Sequence, residues 1–302
     1  MFELGRILVV IDPEAQQQPA LERALGLARL ADVELELFVA DFSTYLEDGY
    51  YFDPLRAREL RQEHGEHQLQ QLEALAKPLR ESGVEVSCSV AWGNPPYEEI
   101  IRRVRELHPD LVIKATRHHA RLTQLLLGND DWELIRYCPV PLLLARGKDW
   151  AKAPVFLAAV DPEHSHDKPA ALDDKIVATA RALSAACEGA VHLFHSTHLP
   201  PLSGLYPIHS DYQVDVAKVE ALAGKFSLPK NVCHVTDEEI QTGLPALALG
   251  LDAAAVVMGA VSRSRLDRML IGNTAERVLD ELDCDALIVK PDSAEPMKKL
   301  LL

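Results

Sequence analysis

Short continuous apolar runs alternate along the chain with longer stretches whose apolar residues recur every three or four positions. A run apolar at every position reads as a strand buried on both faces, and the longer spacing reads as a helix with one buried side. The first run, Arg6 to Ile11, stops at Asp12-Pro13. A helix follows with Ala20, Leu21, Ala24, Leu25, Leu27 and Ala28 apolar, then a strand over 33–40. The pattern continues with a charged helix over roughly 55–82, a strand over 84–91, a helix ending near His108-Pro109, a strand over 111–115, a helix over 131–137 and a strand over 140–145. Residues 41–54, aromatic and acidic, form one long connection.

The second half repeats this order. Val155 to Pro162 echoes Ile7 to Pro13, and Val191 to His195 echoes Glu36 to Val39. Gly243-Leu244-Pro245 echoes Gly93-Asn94-Pro95, Gly272-Asn273-Thr274 echoes Gly128-Asn129-Asp130, and Cys284 to Val289 echoes Cys138 to Leu143. The near-constant spacing predicts duplication of one βα domain. Expected boundaries are 1–147 and 154–292, joined by a polar linker that runs from Arg146 to Pro154. Strands alternating with helices predict an α/β fold, a doubly wound, Rossmann-like parallel sheet in each half. Ligands of such sheets sit beyond the carboxyl ends of the strands. Asp12, Ala115, Asp161 and Gly259 all end strands, so the pattern predicts that these four lie together.

Composition narrows the function classes. The 302 residues are 48% hydrophobic and 25% charged, with a formal net charge of −15. Direct nucleic-acid binding and adsorption to anionic membranes need clustered Lys and Arg, so both are disfavoured. Five cysteines, with no CxxC pair, predict reduced thiols and a cytoplasmic location. The opening apolar run is too short for a signal peptide, and nothing approaches the ~18 consecutive apolar residues of a membrane span.

The stretch from Val256 to Pro291 holds the most specific chemistry. Its apolar run ends in Gly259, an arginine-rich loop follows, and Gly272-Asn273-Thr274 opens a helix with Ala275, Val278, Leu279 and Leu282 on one side. Glycines at both ends of such a loop let backbone N–H groups approach a phosphate at a helix N-terminus. The spacing Gly259-x2-Ser262-x9-Gly272-Asn273-Thr274 resembles the nucleotide-binding signature of the universal stress proteins, Gly-x2-Gly-x9-Gly-Ser/Thr. Ser262 replaces the second glycine, and Thr274 falls one place late. With the strand-ending Asp-Pro pairs and the repeat, the whole chain looks like a tandem member of that family, and Ile271 to Asp280 and Asp131 to Pro139 are similar to its two-domain E-type branch. The resemblance implies an adenine nucleotide alpha hydrolase-like fold, stress-induced expression and, for the E-type, resistance to DNA damage and a part in adhesion or motility. It also implies that Asp161 contacts the adenine–ribose end, with Gly259, Ser262, Gly272, Asn273 and Thr274 around the phosphates. Arg263, Arg265 and Arg268 could balance phosphate charge. In the first half Ala115, His118, Gly128, Asn129 and Asp130 take the matching positions, and Asp130 brings negative charge where phosphate would sit.

The favoured expectation is a stress protein that binds an adenine nucleotide or another small ligand mainly in its second domain, with ATP and Mg²⁺ as the candidate cofactors and no catalytic residue assigned. Its halves are expected to pair through their last strands as an intramolecular pseudo-dimer, with further self-association left open. Two alternatives remain. One is a slow Mg²⁺-dependent ATPase or switch. The other is a scaffold in which Tyr45, Tyr50, Tyr51, Phe52, Tyr206 and Tyr212, in the loops over 41–54 and 197–212, hold an apolar ligand or a protein. Zinc is disfavoured: His192 and His198 share one face of a strand, while His195 points to the other.

Overall fold

In the computed structural model the first half runs β1 (Arg6–Val10), α1 (Pro19–Ala28), β2 (Glu34–Asp41), α2 (Pro54–Glu81), β3 (Val86–Trp92), α3 (Pro96–Leu107), β4 (Leu111–Ala115), α4 (Asn129–Tyr137) and β5 (Leu142–Ala145). The second half runs β6 (Val155–Ala159), α5 (Ala171–Ala186), β7 (Ala190–Ser196), α6 (Tyr212–Lys225), β8 (Cys233–Thr236), α7 (Ile240–Gly250), β9 (Ala255–Gly259), α8 (Asn273–Glu281) and β10 (Asp285–Val289). The structure describes residues 4–29, 32–43, 53–116, 127–146, 148–162, 171–198, 212–260 and 273–291.

All ten strands form one sheet in the order β3-β2-β1-β4-β5-β10-β9-β6-β7-β8. Alternate residues of each strand feed two helical layers, as a period of two requires. Ile7, Val9 and Ile11 point into the layer that holds α1, α2, α5 and α6, whereas Leu8 and Val10 point into the layer that holds α3, α4, α7 and α8. This explains why the strand sequences read as unbroken apolar runs.

The two halves join where β5 and β10 pair antiparallel, with Leu143 opposite Leu287, Leu142 opposite Ile288 and Leu144 opposite Ala286. Every other strand pair in the sheet is parallel. Alone, each half would leave a bare edge of backbone donors and acceptors at its last strand, and the pairing removes both edges at once. The six paired side chains are at most 2% exposed.

Two cations close the seam reciprocally. Arg146, just after β5, donates through Nη1 to the carbonyl of Leu282 at the end of α8. Lys290, just after β10, donates through Nζ to the carbonyls of Arg136 (2.6 Å) and Cys138 (2.8 Å) at the end of α4. Each satisfies helix-terminal carbonyls of the other half, where positive charge complements the helix dipole. Burial lowers both cations from their ordinary values, pushing Lys290 down to about 8. A further lock crosses the halves. Arg23 of α1 donates to Asp285 of β10 at 2.7 Å, Trp150 Nε1 and the Arg146 N–H donate to the same carboxylate at 2.8 and 2.7 Å, and Arg23 lies over the Trp150 ring at 5.2 Å.

Three expectations need correction. The antiparallel seam points the carboxyl ends of the two half-sheets in opposite directions, so Asp12 and Ala115 lie at one edge and Asp161 and Gly259 at the other. Gly243 and Pro245 are not the counterpart of the Gly93–Pro95 turn, because both lie inside α7. The N-caps Pro95 and Glu239 correspond instead, and the left-handed residues His108 (φ 51) and Asp252 (φ 48) lie equally far along the chain from those N-caps. Finally, the counterpart of Cys138 is Leu282 rather than Cys284: Cys138 bonds back to Leu134, and Leu282 to Val278.

Candidate functional site

At the second half-sheet's carboxyl edge, β6 and β9 are neighbours and the chain turns outward from each. Asp161 follows β6 with only 6% exposure. Its backbone N–H donates to both carboxylate oxygens of Asp173, at 3.2 and 3.1 Å, near the start of α5. Gly259 ends β9 directly beneath the same helix. A Cβ there would lie 2.7 Å from Leu172 Cδ2 and 3.3 Å from Ile176 Cδ1, so the absent side chain is what lets α5 settle onto the strand. Beyond it the Ala260 N–H bonds to Val289 O at 3.0 Å. Ser262, Arg263, Arg265, Arg268 and Gly272 lie outside the described residues. Asn273 and Thr274 open α8, which begins at this edge because it leads from β9 back to the start of β10. Of the expected site, Asp161 and Gly259 follow neighbouring strands at this edge, and α8 opens at 273 after the chain leaves Gly259.

The opposite edge differs in its charges. Asp12 accepts the Glu14 N–H at 3.0 Å in a local turn. Ala115 ends β4, and Gly128 precedes α4. Asp131, 2% exposed, reaches back so that its Oδ2 accepts the Gly128 N–H at 2.8 Å. Its Oδ1 accepts Lys114 Nζ at 2.6 Å. The sequence pointed to Asp130 as the negative group here, but Asp131, one place on, takes that position. A residue at the third position of a helix can fold back onto the capping N–H, and that offset was the available signal. Matching strand ends and helix ends align Lys114 with Met258 and Asp131 with Ala275. The second domain therefore has an uncharged pair where the first has an ion pair.

Other polar clusters were not read from sequence. His192 of β7 and His234 of β8 meet at 2.9 Å, Nδ1 to Nε2, with rings 10° from parallel. Burial, and for His192 also its neighbour, lowers both from the ordinary histidine value. The first-domain counterpart is charged: Glu36 accepts Arg103 at 2.6 and 2.8 Å, and the Ser89 hydroxyl donates to it. His195 points to the opposite face, where its Nδ1 lies 3.1 Å from Val160 O. His64 Nε2 lies 2.6 Å from Asp41 at the end of β2, beside Trp92. Among the described residues no three His, Cys, Asp or Glu side chains converge as metal ligands. The five cysteines are unpaired, and burial pushes Cys284 up to about 12. Among the described residues no helix is long and apolar enough to cross a membrane. Tyr45, Tyr50, Tyr51, Phe52 and Tyr206 lie outside the described residues, and Tyr212 is placed only as the first residue of α6.

Comparison with known proteins agrees with this architecture. Universal stress protein E of Salmonella typhi is 31% identical over 296 residues, which cover 95% of this chain and 94% of that protein. A crystal structure of a functionally unknown protein from Pseudomonas aeruginosa PAO1 superposes with a TM-score of 0.76 at 28% identity, covering 96% of this chain and 93% of that one. A universal stress protein from Archaeoglobus fulgidus shares the fold, with a TM-score of 0.72 at 16% identity over 94% of this chain and 98% of its own. The model of the universal stress protein family matches residues 3–146 and again 151–290, so the chain belongs to that family as a tandem of two α/β domains.

Proposed function

We propose that this universal stress protein binds one adenine nucleotide with Mg²⁺ in its second domain and works in the cytoplasm as a ligand-responsive stress protein rather than a fast enzyme. Asp161 stands at the adenine–ribose end, and Gly259, Ser262, Arg263, Gly272, Asn273 and Thr274 surround the phosphates. The observation that carries this reading is the uncharged pair Met258 and Ala275 beside the start of α8, where the first domain has Lys114 and Asp131. A helix N-terminus without an internal carboxylate at its third position keeps its N–H groups and partial positive charge for an outside anion. Asp161 and Gly259 end neighbouring strands at the switch point, the usual ligand position of open α/β sheets. The unpaired cysteines and the net charge of −15 suit the cytoplasm and argue against a polyanionic partner. Resistance to DNA damage would be a downstream role of the liganded form.

Calorimetric titration of ATP with Mg²⁺ tests the reading. The wild type is expected to bind one nucleotide per chain, and Gly272→Val to lose binding because a branched side chain blocks backbone approach to the phosphates. Absence of saturable binding at millimolar ATP would overturn the nucleotide reading and leave the protein as a scaffold with vestigial loops.

A further inference from the structure

The two domains carry the same loop-to-helix joint, but only the first fills it from within. Asp131 is almost wholly buried, and it touches the groups that a phosphate would seek there. One oxygen accepts the Gly128 N–H at 2.8 Å, and Gly128 matches Gly272, the third glycine of the nucleotide signature. The other accepts the Lys114 ammonium at 2.6 Å, and Lys114 also donates to its neighbour's carbonyl, Ala115 O, at 3.2 Å. A backbone N–H, a helix N-terminus and a fixed cation, converging on paired oxygens, are the elements of a phosphate seat. Here they are consumed by the protein's own carboxylate.

We propose that Asp131, held by Lys114, is a built-in anion occupying the phosphate position of the first domain, so that an external phosphate group is shut out of that domain. The inference rests on the reading of this joint as the phosphate seat. Its consequence is that two substitutions separate a ligand-free domain from a ligand-binding one. With Asp131 in place, an arriving phosphate meets like charge and finds its donors taken. With Asp131 removed, the Lys114 ammonium and the Gly128 N–H lose their partner together, and a phosphate restores both.

The test follows backbone amide signals during titration with inorganic phosphate, Gly128 reporting on the first domain and Gly272 on the second. In the wild type the Gly128 amide is expected to stay unmoved. In Asp131→Ala it should shift saturably, with an affinity at least about tenfold above the wild type, and Asp131→Ala combined with Lys114→Met, the pair that the second domain carries, should still shift saturably but more weakly. Asp131→Ser keeps a capping oxygen and is the second variant should the alanine form not fold. It is expected to show the same gain. A folded Asp131→Ala or Asp131→Ser protein whose Gly128 amide ignores phosphate overturns the proposal, and so does a wild-type Gly128 amide that responds equally. The Gly272 amide separates the two readings. If it is silent in the wild type while Gly128 responds in Asp131→Ala, the second-domain reading fails and the built-in anion stands.

Discussion

Gly259 has two claims on it, one as part of a glycine signature and one as the floor beneath α5. Its missing Cβ would fall within 2.7 Å of Leu172 Cδ2, and Leu172 is fully buried with little freedom to move aside. Gly259→Ala is therefore expected to destabilise the protein by about 1–3 kcal/mol through overpacking. Leu172→Ala in the same chain should return part of the loss, because the new methyl then fills space that the smaller residue leaves. Urea unfolding of the single and double variants measures the coupling, and purely additive losses would contradict it. A glycine in a loop signature thus need not be there for the ligand. The same caution applies to identity-based echoes: Cys284 resembles Cys138 in name, yet Leu282 is the residue that closes the equivalent helix.

At the scale of elements, β7 and β8 are held together on one face by the His192–His234 pair, where β2 and β3 use Glu36 with Arg103 and Ser89. Two imidazoles 2.9 Å apart need one donor and one acceptor, so a doubly protonated pair is repelled. Both groups are lowered in the folded protein, so the unfolded chain binds more protons as the pH falls below the ordinary histidine value of about 6.5. Stability should then rise with pH through that window and be lost on acidification. Thermal midpoints at pH 5.5 and 7.5 are expected to differ by roughly a few degrees more in the wild type than in His192→Gln combined with His234→Ser. An unchanged difference would show that the pair does not set the acid sensitivity. Element types and order were legible because strands buried on both faces read as unbroken apolar runs, and Leu111–Ala115 emerges as expected. The register of the repeat was not legible from Gly, Pro and Cys identities. It follows from which backbone groups bond: Gly243 and Pro245 lie inside α7, whereas Gly93 to Pro95 precede α3. Asp161 and Gly259 could be placed from sequence, whereas Asp131, Asp173 and His234 could not, because their roles come from contacts that strand and helix periodicity does not encode.

For the whole molecule, the cross-domain lock at Asp285 is the largest single liability. Arg23 and Asp285 are 3% and 1% exposed, and the carboxylate also holds Trp150 and the Arg146 backbone. Asp285→Ala leaves a buried guanidinium without its partner and is expected to cost about 3–5 kcal/mol. Replacing both ends, Arg23→Met with Asp285→Leu, should recover much of that, since apolar side chains carry no charge to desolvate. Chemical denaturation of the three chains decides it: a double variant no more stable than Asp285→Ala alone would mean that the lock's worth lies in its other hydrogen bonds. The reciprocal caps also have a mechanical side. α4 starts at Gly128 and Asp131 on one edge of the sheet and ends in the grip of Lys290 on the other, a span of about 13 Å for its 9 residues. α8 runs the opposite way, from the second domain's edge to Arg146. Two rods thus tie the two edges crosswise. Neither helix can slide along its axis without stretching or releasing a cation rooted at the far side of the sheet, so the two edges, although they face apart, are coupled through the length of a single helix each.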